Sequence, residues 1–457
     1  MDKVYSEESN TSFRQIIKIT YPVVLSMLSF NVLVFVDRLY VSWYDLTQFA
    51  AMLPASFTAI GLASIFTGIV GYVSTLSAQY YGAGRYPQCA AAMWQGIYLS
   101  ILFALLLLGI SPIVASVFQL MGHTGSLLAY EVEYFYLIII AECIQMFSTA
   151  FFGFYCGIGD TKTTMQVAVL MNIINVILAG GLVFGKFGLP ELGMMGSGLA
   201  AIISCLVGLF CYVLFLHKAV MRQYQPWQHY RPNKSLLCSL LRFGLFAGIQ
   251  SFAEMGYFSI FLLIIGSMGA MNLAAVNAAF AMEAVFILPV IGMTTAVGIL
   301  AGQEKGAGRL GNIPEILKKG LVLGLGFNVL ILISCNFFPE QLISIFHSDT
   351  DADQHHLVSI ATPLLQLTSL WLVFDTIHLM VGSVLKSTGD TRFMMLVYTV
   401  VPLFFYVIMP YVFCVWYPLP LSWLWLLLVV YSATMLLLMA TRFVNGKWKS
   451  IKVIEQT

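Results

Sequence analysis

Gln79-Tyr80-Tyr81-Gly82-Ala83-Gly84-Arg85 recurs 224 residues later as Gln303-Glu304-Lys305-Gly306-Ala307-Gly308-Arg309. The same offset pairs Phe49-Ala50-Ala51 with Leu273-Ala274-Ala275, and Gly159-Asp160-Thr161 returns as Gly389-Asp390-Thr391 at an offset of 230. Three blocks in one order at nearly one spacing predict that half the chain is duplicated. Each half holds six long apolar runs, an even number, so both halves enter a bilayer from the same side and are related by an axis along the membrane normal. The expected fold class is all-α integral membrane, with 12 transmembrane helices in two pseudo-symmetric six-helix bundles and a central cavity between them.

Composition points the same way. Hydrophobic residues make up 60% of the chain and charged residues 9%, whereas a soluble domain is about a quarter charged. A water-soluble fold is excluded. Runs of about 20 apolar residues, the length that crosses a hydrocarbon core of about 30 Å, predict spans near 16–43, 49–75, 91–118, 130–155, 164–185 and 194–216. In the second half they fall near 243–266, 274–300, 317–338, 356–385, 393–416 and 421–442. The lipid bilayer is therefore the first partner. A net charge of +1, with Lys and Arg scattered through short loops, excludes nucleic acid as another. The 8 Cys include no close pair, so no zinc or redox motif is indicated and no cofactor is expected. The polar stretch from Met1 to Gln15 lacks the pattern of a cleavable signal peptide, which leaves the first span as an anchor.

Orientation follows from the basic residues. Of the 22, all but Arg38 and Lys186 lie in one set of alternate segments, while Glu131, Glu133, Glu191, Glu340, Asp349, Asp351 and Asp353 collect on the other side. The positive-inside rule then makes both termini cytoplasmic in a multi-pass protein of the cell inner membrane. The expected organisation is an N-lobe over residues 1–216, a cytoplasmic linker over 217–242 with Pro226 and Pro232, a C-lobe over 243–442 and a cytoplasmic tail over 443–457.

Acids inside apolar runs are the informative residues, because each opposes insertion by about 2.5 to 3.5 kcal/mol at a helix centre. There are five: Asp37, Glu142, Glu254, Glu283 and Asp375. No comparable set of buried Lys or Arg is expected to neutralise them, which leaves protons, Na+ or cationic substrates as partners. Arg38 follows Asp37 about 100° round the helix, too far to face the same partner without distortion. Gln250 and Tyr257 extend a polar stripe from Glu254, and Trp371 and His378 share a side of the tenth span with Asp375. His378 reads as a hydrogen-bond partner of Asp375. Glu142 and Glu283 either take part or bond locally. Asn172 and Asn175, at i and i+3, either help ligate a cation beside Asp37 or join helices by hydrogen bonds. Asp349-Thr-Asp351-Ala-Asp353 begins like a calcium loop, but it has Gln354 in place of the turn glycine and Ile360 in place of the bidentate Glu. It reads as an external loop. Prolines at 22, 54, 289, 363, 402 and 410 are expected to interrupt spans and free backbone carbonyls.

These features together resemble the MATE family, multidrug and toxic compound extrusion, in its NorM-like branch. The resemblance covers nearly the whole chain. It rests on the duplicated Gly-Ala-Gly-Arg blocks, Phe286-Ile287-Leu288-Pro289, the Asp375 helix ending in Val384-Leu385-Lys386 before Gly389-Asp390-Thr391, and the loop from Gly185 to Gly193. It implies two six-helix bundles that alternate between outward- and inward-facing states, exchanging a drug for Na+ or H+. It also implies that Asp37 is the N-lobe acid and that Glu254 and Asp375 are the C-lobe acids, so that Glu254, Asp375 or Asp37 is the candidate Na+ ligand. Asn175 matches a family Asn, but Ala179 stands where a second is common. Lys386 and Ser387 stand for the usual Arg and Gly, and His378 for a common Gln.

The expected function is a monomeric secondary active antiporter exporting amphipathic, often cationic, small molecules. The alternative within transport, a flippase of lipid-linked oligosaccharide, calls for a basic cavity. A membrane-embedded enzyme would need a paired-acid, Ser-Lys or metal-ligand constellation, and neither H-E-x-x-H nor a comparable spacing occurs.

Overall fold

The computed structural model describes residues 12–120, 124–217, 219–344, 351–416 and 420–454. Among them are twelve helices long and apolar enough to cross a membrane. In the first half these are α1 Phe13–Tyr44, α2 Leu46–Gly82, α3 Tyr86–Val114, α4 Gly125–Gly157, α5 Thr161–Phe184 and α6 Met194–Phe215. In the second they are α7 Lys234–Gly266, α8 Met271–Gly306, α9 Leu310–Phe337, α10 His355–Ser387, α11 Thr391–Cys414 and α12 Leu421–Val444. No strand occurs among the described residues.

The duplicated blocks fold as the same turn twice. After α2, Ala83 N bonds Gln79 O at 3.0 Å and Arg85 N bonds Tyr80 O at 2.9 Å; after α8, Ala307 N bonds Gln303 O and Arg309 N bonds Glu304 O, both at 2.9 Å. Gly84 and Gly308 take φ of +72° and +74°, a left-handed conformation that disfavours any residue with a Cβ. The second turn adds an ion pair: Arg309 forks onto the buried Glu304 at 2.8 Å through both nitrogens, and Asn312 Nδ2 donates to Glu304 at 2.8 Å. The Gly-Asp-Thr blocks likewise stand before α5 and α11. Asp160 caps α5 by accepting from Thr163 N at 3.3 Å and also accepts from Thr163 Oγ1 at 2.7 Å, and Asp390 accepts the Arg442 fork at 2.6 and 3.0 Å.

Two differences from the sequence reading concern polar segments. First, α7 starts at Lys234, well before the expected 243, because Asn233 Oδ1 caps it by accepting from Ser235 N and Leu236 N at 3.0 and 3.2 Å. Its first turns bury Leu236 and Leu240 while leaving Lys234 and Arg242 exposed. Second, Asp351 and Asp353 belong to a helix that begins at Asp351 and runs into α10, so this part of the acidic stretch is not loop; Asp349 lies outside the described residues. The prolines do not interrupt the helices as expected: Pro22, Pro54, Pro289 and Pro363 sit within helices that continue past them, although each, lacking an N–H, still leaves the carbonyl four residues earlier without its helical donor. Near Pro402 and Pro410, α11 loosens into wide π turns at Leu403–Ile408 and Val412–Trp416.

The helices gather into two compact units. Pro22–Phe252 form one; Ala253 onward, with the first turns of α1 up to Tyr21, form the other. The first unit holds the start of α7 because Gly68 on α2 and Gly248 on α7 let the two backbones touch. A Cβ at Gly68 would lie 2.6 Å from Gly248 Cα, the close approach that small residues permit between membrane helices.

Each half is followed by a short segment that folds back on its own unit. After α6, a 3-10 turn at Ala219–Tyr224 buries Tyr224 edge-on against Tyr86 and Phe154, at 5.7 and 5.5 Å between ring centres. Beyond it, Trp94 Nε1 donates to Pro226 O at 2.7 Å, and the buried Gln95 accepts from Asn233 N at 3.0 Å. After α12, a 3-10 turn at Lys447–Ser450 buries Trp448, stacked on Phe443 at 5.3 Å. Lys305 Nζ donates to the carbonyls of Trp448 and Lys449 at 3.1 and 2.8 Å. Tyr224 and Trp448 stand at the same 224-residue spacing as Gln79 and Gln303, so the repeat extends past the sixth helix.

Candidate functional site

The first unit contains a cavity of about 550 Å³ bounded by α1, α2, α4, α5 and α6, within the size range of small-molecule sites. It exists because one face of α4, read at helical spacing as Tyr134, Ile138, Glu142, Gln145, Thr149 and Phe152, looks into it. Asp37 reaches it from α1 and Asn172 and Asn175 from α5. Asp37 is 8% exposed. With its amide oriented to suit both neighbours, Asn175 donates to Asp37 Oδ1 at 3.0 Å and accepts from Ala201 N at 3.2 Å. Ser197 and Tyr134 also stand beside the carboxylate. Asn172 instead donates to Ser29 Oγ at 2.6 Å, tying α5 to α1. Both asparagines therefore make interhelical hydrogen bonds, and that of Asn175 falls on Asp37 itself.

Arg38 corrects the sequence reading. It lines the same cavity as Asp37, and Tyr134 feels the charge of both. A 100° rotation separates neighbouring Cα directions, but the long flexible arginine stem carries its head group back round the helix.

Glu142 also lines this cavity. Among the described residues no hydrogen-bond donor meets its carboxylate, and the titratable groups that feel its charge are the thiols of Cys143 and Cys205.

The second unit brings the other acids together. Glu254, Glu283 and Asp375 all act electrostatically on Tyr406, which packs between Phe261 and Tyr431 at 5.4 and 5.1 Å. Asp375 is buried. Its Oδ1 accepts from Trp371 Nε1 at a long 3.4 Å and lies 3.5 Å from His378 Nδ1, with His378 itself buried. At the next residue after Asp375, Thr376 Oγ1 accepts from the buried Asn328 at 2.7 Å. Glu254 is exposed and Tyr257 half-buried.

The expectation that no intramembrane cation serves these acids also needs correction, because Lys386, in the last turn of α10, lies within electrostatic reach of Glu254. Read in sequence it looked like a loop lysine. The helix continues to Ser387 and holds it inside the unit. Tyr398, Tyr406, Tyr431 and Lys386 are thus site residues that the sequence reading passed over. Their signal was the clustering of Tyr among Phe and Leu in the last two spans.

Comparison with known proteins identifies the family. The MatE family model matches residues 22–179 and 247–412, and each matched stretch carries acids described above. A Thermotoga maritima protein named "Probable multidrug resistance protein NorM" is 26% identical over 380 residues, 82% of this chain and 79% of that one. A Bacillus cereus protein of the same name is 27% identical over 406 residues, 84% of this chain and 86% of that one. A solved MATE structure in complex with MaL6 superposes with a TM-score of 0.86 over 98% of this chain and 100% of the other, at 17% identity. At that identity the likeness is one of fold.

Proposed function

The chain belongs to the MatE family, and from that premise we propose that it is a secondary active antiporter, exporting amphipathic and often cationic organic molecules in exchange for Na+ or H+ by alternating access. The observation that carries this reading is a buried carboxylate, Asp37, on the wall of a largely apolar cavity wide enough for a drug-sized molecule. Antiport requires that two ligands oppose one another's occupancy, and a carboxyl group that either a small cation or an organic cation neutralises supplies that opposition. The second unit offers a parallel set in Asp375, Glu283 and Glu254, with Tyr257 and His378 nearby along their helices. On this reading the protein works as a monomer in the inner membrane with both termini cytoplasmic, and the coupling ion is its only inorganic partner.

Arg38 on the cavity wall is the one observation that favours the flippase alternative, since a pyrophosphate needs basic groups. It stands beside Asp37 in a wall with no other Lys or Arg, which is weak provision for a multiply charged anion.

The test is export of ethidium from loaded proteoliposomes, with inward Na+ and H+ gradients applied separately. Export is expected to follow one gradient. Equal release under both gradients and under neither would remove the antiport reading.

A further inference from the structure

The charged groups on the cavity wall do not balance. Two carboxyls, Asp37 and Glu142, face one guanidinium, Arg38. Asp37 has Asn175 as a donor at 3.0 Å and Ser197 as a second hydrogen-bond partner, so its carboxyl is met by fixed polar groups. Glu142 has no donor among the described residues, although leaving a carboxylate unpaired at this depth is costly. One ionisable carboxyl is left without a fixed partner, and it sits on α4.

Glu142 is also poorly placed to hold a small inorganic cation. A dehydrated hard cation demands several oxygen ligands. The titratable groups that feel Glu142 are the thiols of Cys143 and Cys205, and the Gln145 carbonyl oxygen one turn on already faces Cys205 Sγ at 3.8 Å. The same wall carries the aromatic and thioether side chains Phe152, Met171 and Tyr212 beside the hydroxyls of Ser148, Thr149 and Ser204. Such surroundings suit a large, weakly hydrated cation, whose charge one carboxylate matches and whose body aromatic faces accept.

We propose that Glu142 is the residue that selects the cargo of this cavity, pairing with the single positive charge of a monovalent organic cation, while Asp37, held by Asn175, remains the carboxyl whose neutralisation by the coupling ion opposes that cargo. This division of labour rests on the antiport reading for its purpose but makes a claim about binding alone. It also assigns the site a charge preference: singly charged organic cations over neutral molecules and over organic anions of equal size.

Tetraphenylphosphonium and tetraphenylborate, nearly identical in shape and opposite in charge, are the probes. Binding is measured by equilibrium dialysis on the full chain in lipid nanodiscs, with empty discs as the blank. The cation is expected to bind to the unaltered chain, and Glu142→Gln is expected to weaken it about tenfold, the loss of one modest charge contact, without weakening the anion. Glu142→Asp should recover most of the affinity. Unchanged cation binding in Glu142→Gln overturns the proposal, and so does an equal loss of both probes, which would signal a distorted cavity. Export is read separately: Glu142-dependent binding without gradient-driven export would sink the antiport reading alone, and export with Glu142-independent binding would sink this one alone.

Discussion

Asn175 on α5 donates its amide to the Asp37 carboxylate on α1 at 3.0 Å, joining two helices at the wall of the first-unit cavity. A hydrogen bond to a charged group contributes about 1.5 to 3 kcal/mol. Asn175→Ala is therefore expected to raise the half-saturating concentration of the coupling ion about tenfold, read from export rates against ion concentration. Asn172→Ala, which loses only the bond to Ser29, should instead show as a lower melting temperature from the loss of about 0.6 kcal/mol.

In the second unit, Asp375→Asn keeps the shape of the side chain and removes its charge beside Trp371 and His378. Gradient-driven ethidium export should fall to the level of protein-free liposomes. Undiminished export in this variant would take Asp375 out of the mechanism.

Lys386 supplies a tethered ammonium near Glu254, and a mobile cation approaching that carboxylate meets this fixed one. Lys386→Met should lower the half-saturating concentration of the coupling ion severalfold if Glu254 takes part in binding it. Paired measurements on Glu254→Gln and the double variant test this, because the effect of Lys386→Met should vanish once Glu254 has lost its charge.

Two predictions concern stability. Arg442→Ala leaves Asp390 buried without the fork at 2.6 and 3.0 Å. The expected cost is about 3 kcal/mol, the low end for breaking a buried pair, because 22% of the arginine side chain is exposed. Gly308→Ala tests the repeated turn. No atom lies within 4 Å of the added Cβ, so its cost is conformational only, about 1 kcal/mol, and Gly84→Ala should match it. Thermal unfolding in one detergent reads all three variants.

The spans were legible in the sequence because a bilayer demands long apolar runs, and the duplication was legible because Gly84 and Gly308 hold positions that few other residues tolerate. Asp37, Glu142 and Asp375 stood out because ionisable residues are scarce in such runs. Arg38 and Lys386 did not, since each has a stem long enough to place its charge away from its backbone position. The early start of α7 was hidden because Lys234 and Arg242 look like linker, and only Leu236 and Leu240 betray a buried face. Which polar residues share one cavity depends on helix rotation and packing, and local spacing does not encode that.

The buried rings of Tyr224 and Trp448 have a practical meaning for anyone altering the chain. What looks like a dispensable end after Val444 is the counterpart of a strap that the first half keeps in mid-chain, and Lys305 grips it by two carbonyls. A purification tag replacing Gly446–Ile454 would unseat that grip and leave the ammonium of Lys305 without its acceptors, whereas a tag joined beyond Ile454 would not.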